Sequence, residues 1–348
     1  MRSVSEPWKD RVLRGSRDGF VETLVSNAAL LRRRIRDPRF SMELYGVGRR
    51  SRSDVAICYI SDSVDQSVLN RMRKLIQSID VDALTMNIES LAECMFTHKW
   101  INPFPKFKYS ERPDTATAAI LDGNIVIMVD NSPAVMIIPA SIFDIIEEAD
   151  DFNFSPMIGS YLRITRFFFS IVTWILTPLW LLFVNNPDWV PEFMKFVLIT
   201  DDITVPVLLQ LLILELAVDG LKLAAVNTPT MLSTPLSIVA GIVVGEYAVS
   251  SGWFNPEALL YMAVVTVGTY GQTNFEMGYA FKFLRVLTLI LTQIFNLGGF
   301  IAGVVISVLM IAFNRTITGK SYIYPLIPWD GKMLKRKVLR VRLPHSYK

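Results

Sequence analysis

From residue 167 to residue 187 the chain runs through 21 consecutive uncharged residues, with Arg163 and Arg166 before them and Asp188 after. A helix of that length rises about 31 Å, enough to cross a hydrocarbon core of about 30 Å. Pro178 lies inside the stretch, and a proline bend is tolerated in a membrane helix. Three further stretches lack charge: 223–245 up to Glu246, 258–275 between Glu257 and Glu276, and 286–314 between Arg285 and Arg315. The charged residues, only 19% of the chain, crowd instead into 1–166 and 315–348. A soluble domain carries about 25%. Membrane spans are therefore predicted at 167–187, 228–248, 257–276 and 286–314. The last stretch would rise about 43 Å, against about 60 Å for two crossings, so it reads as one long tilted span, broken near Asn296, Gly298 and Gly299.

Segment 203–222 differs, because Glu215, Asp219 and Lys222 interrupt it. At 100° per residue these three fall within about 60° on one helix face. An amphipathic helix follows, lying at the interface, re-entering the bilayer or lining a wet path. Ionisable groups at membrane depth are costly and usually serve a path or a partner. The pore or ion-path candidates are thus Glu215, Asp219 and Lys222, joined by Glu246, Gln272 and Glu276 at span ends. The competing reading for the first three is a solvated face, and for the others ordinary end-of-span polarity.

Orientation follows the lysine and arginine bias. Arg163 and Arg166 precede the first span, and residues 331–348 carry seven Lys/Arg and no acid. Both flanks are assigned to the cytosol, which requires an even number of crossings. Lys282 and Arg285 oppose this, because four simple spans put them on the far side. Lys335, Arg336, Lys337, Arg340 and Arg342 are expected to sit on anionic lipid.

The first 155 residues read as a small α/β domain. Helices are predicted over 10–36, 64–79, 88–96, 114–122 and 141–151, with strands over 55–60 and 81–86. A hairpin is expected from 125–130 and 134–139 around Asn131-Ser132-Pro133. Between residues 32 and 52, eight arginines stand against Asp37 and Glu43, a local net of +6. That block suits an acidic partner, or more simply a surface near headgroups or between subunits. Cys58 and Cys94 lack metal or redox spacing, and His98 and His345 have no partners at ligand spacing. Gly46-Val47-Gly48 lacks the strand-to-helix setting of a phosphate loop. No catalytic residue, metal or cofactor is expected. Residues 1–10 are polar and read as no signal peptide. The prediction is an α/β cytosolic domain over 1–155, an all-α polytopic transmembrane bundle over 156–320 and a basic cytosolic tail over 321–348.

Several motifs in series carry a resemblance. Arg14-Gly-Ser-Arg-Asp-Gly-Phe20, Glu22-Thr23 and Leu30-Leu-Arg-Arg-Arg-Ile-Arg36 come first. Val55-Ala-Ile-Cys-Tyr-Ile60, Pro103-Phe-Pro105, Glu111-Arg-Pro-Asp114 and Gly123 to Asp130 continue in order. Together they resemble the spore germinant receptor A-subunit (GerA) family. Asn227-Thr-Pro-Thr230, Gly271-Gln-Thr-Asn-Phe-Glu276 and Tyr324-Pro-Leu-Ile-Pro328 are most similar to one branch of it. The resemblance implies a germination protein of the endospore inner membrane, assembled as a ring-like homo-oligomer that conducts ions. For that branch it implies amplification of ion release rather than nutrient binding. The expected partners are membrane lipids, further copies and other spore-membrane proteins, with no nucleic acid. A non-conducting scaffold and a proton-coupled transporter are the alternatives. Family members carry more sequence upstream of Arg14, so the chain is expected to be N-terminally shortened.

Overall fold

The computed structural model describes residues 6–7, 10–96, 102–227, 241–272 and 274–341, with the side chains of 242–244 left aside. It divides into two compact units, Met1–Ile164 with Ile311–Lys348, and Thr165–Met310.

In the first unit five antiparallel strands form one sheet in the order β1-β2-β4-β5-β3. They are β1 (Phe40–Val47), β2 (Ser53–Ile60), β3 (Lys108–Ser110), β4 (Ile125–Val129) and β5 (Val135–Ile138). Strands β4 and β5 are buried at every position, Ile-Val-Ile-Met-Val and Val-Met-Ile-Ile. Both faces of the sheet are covered, which is why these strands read as unbroken apolar runs rather than alternations. One face packs Val55, Ile57, Ile127 and Met136 against α2 (Gln66–Gln77) and α3 (Ile88–Met95). The other packs Ala56, Cys58, Val126 and Ile137 against α1 (Leu24–Arg34) and α4 (Pro113–Leu121). Asn131 turns the β4–β5 hairpin at φ 62°, a left-handed conformation that asparagine tolerates.

Three expectations for this unit need correction. The helix predicted over 10–36 begins only at Leu24. Ahead of it the backbone is irregular, and Phe20 and Val21 drop into the core. Asn27 holds that stretch, accepting from the Val21 N–H at 2.8 Å. The predicted strand 81–86 is not a strand. The carbonyls of Val81 and Asp82 instead accept from Arg49 and Arg50 of the β1–β2 turn, at 2.9 and 2.8 Å. The edge strand β1 runs through the middle of the arginine block, and four of its eight arginines are matched by acids. Arg33 and Arg34 pair with Asp18, Arg39 with Asp37 and Asp62, and Arg49 with Asp80. The predicted acidic helix 141–151 is two short pieces, α5 (Ile142–Ile146) and α6 (Asp150–Asn153), the first closed by a Ser141/Asp144 capping box.

The second unit is helical. α7 (Pro156–Asn185) starts earlier than the predicted span and contains Pro178. α8 (Val207–Asn227), α9 (Pro256–Tyr270) and α10 (Phe275–Ala312) follow. Trp180 and Leu181 of α7, Leu211 and Leu214 of α8, Ala258 and Met262 of α9, and Leu289 of α10 share one buried cluster. The segment predicted as an amphipathic helix over 203–222 runs over 207–227 and is apolar all round, with Glu215 turned inward rather than onto a polar face. With 15 residues, α9 rises only about 22 Å, shorter than the span predicted at 257–276. Most of the span predicted at 228–248 lies outside the described residues; its described end is a π-helical stretch, Gly241–Tyr247. Among the described residues two helices, α7 and α10, are long and apolar enough to cross a membrane by length and composition.

The stretch 286–314, predicted as one long tilted span broken near Asn296, Gly298 and Gly299, does break at Asn296 but folds back on itself there. At Asn296 (φ 52°, ψ −129°) the backbone leaves the helix, and α10 becomes a hairpin with arms 275–295 and 297–312. A Cβ built on Gly303 of the second arm would lie 2.9 Å from the Cα of Thr288 in the first. In a straight helix those residues would be about 22 Å apart. Gly299, Gly303 and Ser307 are buried on one stripe, the four-residue spacing of small residues that lets helix backbones touch. At the turn, Asn296 and Asn186 exchange side-chain hydrogen bonds of 2.6 and 2.9 Å.

Candidate functional site

The second unit buries a cluster of charges. Glu215 and Asp219 lie one turn apart on α8, and Lys282 and Arg285 nearly one turn apart on the first arm of α10. Arg285 Nε meets Glu215 Oε1 at 2.5 Å, with the two residues only 3% and 5% exposed. Lys282 pairs with Asp219, lies 3.5 Å from Glu215 Oε2 and donates to the Glu215 carbonyl at 3.1 Å. The Arg285 guanidinium also donates to the carbonyl of Thr173 on α7. The cluster therefore ties three helices together.

Lys222 sits one turn further along α8, over the rings of Tyr270 and Tyr279 at 5.4 and 5.5 Å, where their π faces attract it. Gln272 Nε2 donates to Thr173 Oγ1 at 3.1 Å. Glu215, Asp219, Lys222, Gln272, Lys282 and Arg285 line one small cavity of about 20 Å³, together with Thr266 and Thr269, roomy enough for a single water. Two acceptors of that lining, Asp219 Oδ1 and Gln272 Oε1, are buried without a hydrogen-bond partner among the described residues.

Four of the six sequence candidates, Glu215, Asp219, Lys222 and Gln272, thus come together in one place. Glu246 and Glu276 are exposed and do not line the cavity. Sequence reasoning missed Lys282 and Arg285, treating them as orientation signals. The usable clue was spacing: a Glu/Asp pair four apart on one apolar segment and a Lys/Arg pair three apart on another.

A second ionic network lies in the first unit. Lys337 of α11 (Gly331–Val338) pairs with Asp144, and Arg163 reaches Asp151 at 3.1 Å and Glu147 at 3.3 Å. Arg163 also donates to the carbonyls of Arg336 and Lys337, both at 3.1 Å. Burial opposes the charge on Lys337, but the carboxylates of Asp144 and Glu147 outweigh it and raise its pKa. Burial likewise works against Asp144, and Lys337 overrides it, so that carboxyl is held below its usual range. Arg340 donates to the Phe154 carbonyl, and Lys335 is exposed. Arg342 lies outside the described residues. Among the described residues no cluster of three or more His, Cys, Asp or Glu is arranged to hold a metal.

The motifs quoted for the family resemblance also meet here in structural roles. Arg112, 1% exposed, pairs with Asp114 and donates to the carbonyl of Ser16 at 3.0 Å, while Phe20 N–H donates to Glu111 O at 2.8 Å. The model of the Bacillus/Clostridium GerA spore germination protein family matches residues 1–348, and the chain belongs to that family. It is 38% identical to stage V sporulation protein AF of Bacillus subtilis, over 99% of this chain and 69% of that protein. It is 27% identical to spore germination protein XA of Bacillus anthracis, over 94% of this chain and 66% of the relative. The chain therefore spans about two thirds of the length of these relatives. Among solved structures it matches the N-terminal domain of the A subunit of the Bacillus megaterium spore germinant receptor GerK3. That match has 32% identity and a TM-score of 0.28, and covers 34% of this chain and 93% of the domain.

Proposed function

We propose that the chain is a multi-pass subunit of the spore inner membrane that assembles with further copies, and with other germination proteins, around a path for monovalent cations. The observation that carries this reading is the buried cluster of Glu215, Asp219, Lys282 and Arg285. Four charges cost too much inside an apolar bundle to be retained for stability alone, since a buried pair is often no better than well-packed apolar residues.

The hairpin in α10 supports an orientation that four simple spans did not allow. Its two arms begin and end on one side of the bundle, and Asn296 at the turn meets Asn186 at the far end of α7. Lys282 and Arg285, neutralised inside the bundle by Asp219 and Glu215, no longer count as loop charges and do not oppose a cytosolic placement of the basic flanks.

In the paired state the cluster does not attract cations: Glu215 and Asp219 give −2, Lys222, Lys282 and Arg285 give +3, and the sum is +1. The path conducts when the carboxylates are released from Lys282 and Arg285 and turn towards it. Potassium and chloride flux from proteoliposomes tests this. Glu215→Gln and Asp219→Asn are each expected to lower the cation-to-anion permeability ratio several-fold. Unchanged selectivity in both variants would remove these residues from the path. A membrane-inserted protein with no flux at any lipid ratio would favour a scaffold instead.

A further inference from the structure

Helix α11 turns Lys332 and Lys335 to one face and Lys337 to another. At 100° per residue Lys332 and Lys335 lie about 60° apart, with Lys337 about 140° or more from either. Lys337 faces inward to Asp144 and Glu147. Lys332 and Lys335 are exposed, and neither forms an ion pair among the described residues. The turn leading into this helix exposes Leu326, Ile327 and Trp329, with Ile327 56% and Trp329 71% accessible. Asp330, the acid of this stretch, is occupied in accepting from the Met333 N–H at 3.0 Å as the helix cap.

We infer that Leu326, Ile327, Trp329, Lys332 and Lys335 form a docking surface for the anionic headgroup region of the bilayer. The chemistry fits that occupant: an indole and two aliphatic side chains to enter the acyl boundary, and two ammonium groups to meet phosphates beside it. An acidic protein could satisfy the lysines, but it would leave the large apolar side chains without use. Continuity along the chain agrees, because Leu326 follows Ala312, the last residue of α10, by 14 positions. The basic tail is thereby split by role, with Lys337 and Arg340 turned towards protein and Lys332 and Lys335 towards lipid.

The inference rests on the membrane reading above, and one experiment separates the two. The full chain carrying Trp329→Cys on a Cys94→Ser background is labelled with a polarity-sensitive dye and placed in nanodiscs. The discs hold phosphatidylcholine alone or with phosphatidylglycerol, and quenching by neutral acrylamide is measured. In anionic discs quenching is expected to fall about fivefold or more. Lys332→Gln and Lys335→Gln should each return part of the quenching, since one lysine beside an anionic surface is worth about fivefold in affinity. Equal, strong quenching in both discs would overturn the docking surface while leaving the spans intact. Equal protection in both, accompanied by cross-linking of position 329 to another copy, would reassign the face to a protein contact. A chain that does not enter discs would overturn the membrane reading and this inference with it.

Discussion

Replacing Arg285 with leucine probes whether the charge cluster couples the helices or merely coexists with them. The side chain is 3% exposed, pairs with Glu215 at 2.5 Å and donates to the Thr173 carbonyl. Its loss strands Glu215, 5% exposed, with Lys282 at 3.5 Å already committed to Asp219. Leaving one member of a buried pair uncompensated costs about 3–5 kcal/mol. At about 2–4 °C per kcal/mol for a unit of this size, the apparent melting temperature should fall by about 10 °C. Removing Glu215 as well takes away the stranded charge, so Glu215→Leu/Arg285→Leu should recover to within about 1–2 kcal/mol of the parent. The assay is thermal unfolding of the full chain in one detergent, read by fluorescence, for the parent, both single variants and the double. If the two single losses add in the double variant, the coupling does not exist. If Arg285→Leu melts within 2 °C of the parent, the residue is not held as described.

Two other outcomes follow from the geometry. Gly303→Val must force the arms of α10 apart, because a Cβ there meets the Thr288 backbone at 2.9 Å, and should cost about 1–3 kcal/mol. Gly298→Ala, where a Cβ meets nothing within 4 Å, should leave the same melting curve within about 0.5 kcal/mol. In the first unit, Arg73 hydrogen-bonds Glu43 and, against the cost of burial, holds its carboxyl at about 2 instead of 4.5, with the Tyr59 and Tyr45 hydroxyls assisting. The folded value is depressed, so this stabilisation is complete above the unfolded value and disappears as pH falls from 4.5 towards 2. Partial exposure of both groups limits it to about 1 kcal/mol. Arg73→Met should therefore be less stable than the parent by that amount at pH 7 and equal to it near pH 2. Parallel acid-unfolding profiles for the two proteins would contradict this.

The sequence made the division of the molecule legible, because unbroken apolar runs such as Ile125–Val129 and the stretch after Arg166 leave few alternatives. The β4–β5 hairpin, α2, α3 and α4 were readable from periodicity and turn chemistry. Strand β1 was hidden because its arginine-rich flanks suggested a surface patch, and edge strands show weak alternation. The hairpin in α10 was hidden by a counting rule. Measured between Arg285 and Arg315 the apolar segment is too short for two arms, yet the helix begins at Phe275. Lys282 and Arg285 belong inside it because Glu215 and Asp219 neutralise them, and a count of uncharged residues cannot foresee a partner 63 to 70 positions away.

Arg285 bonds to two helices at once, to a carboxylate on α8 and to a backbone carbonyl on α7. A small rotation of the first arm of α10 cannot relax one of these bonds while keeping the other. One guanidinium thus fastens the first arm of α10 to two neighbouring helices, so a displacement of that arm strains its contacts with α7 and α8 together.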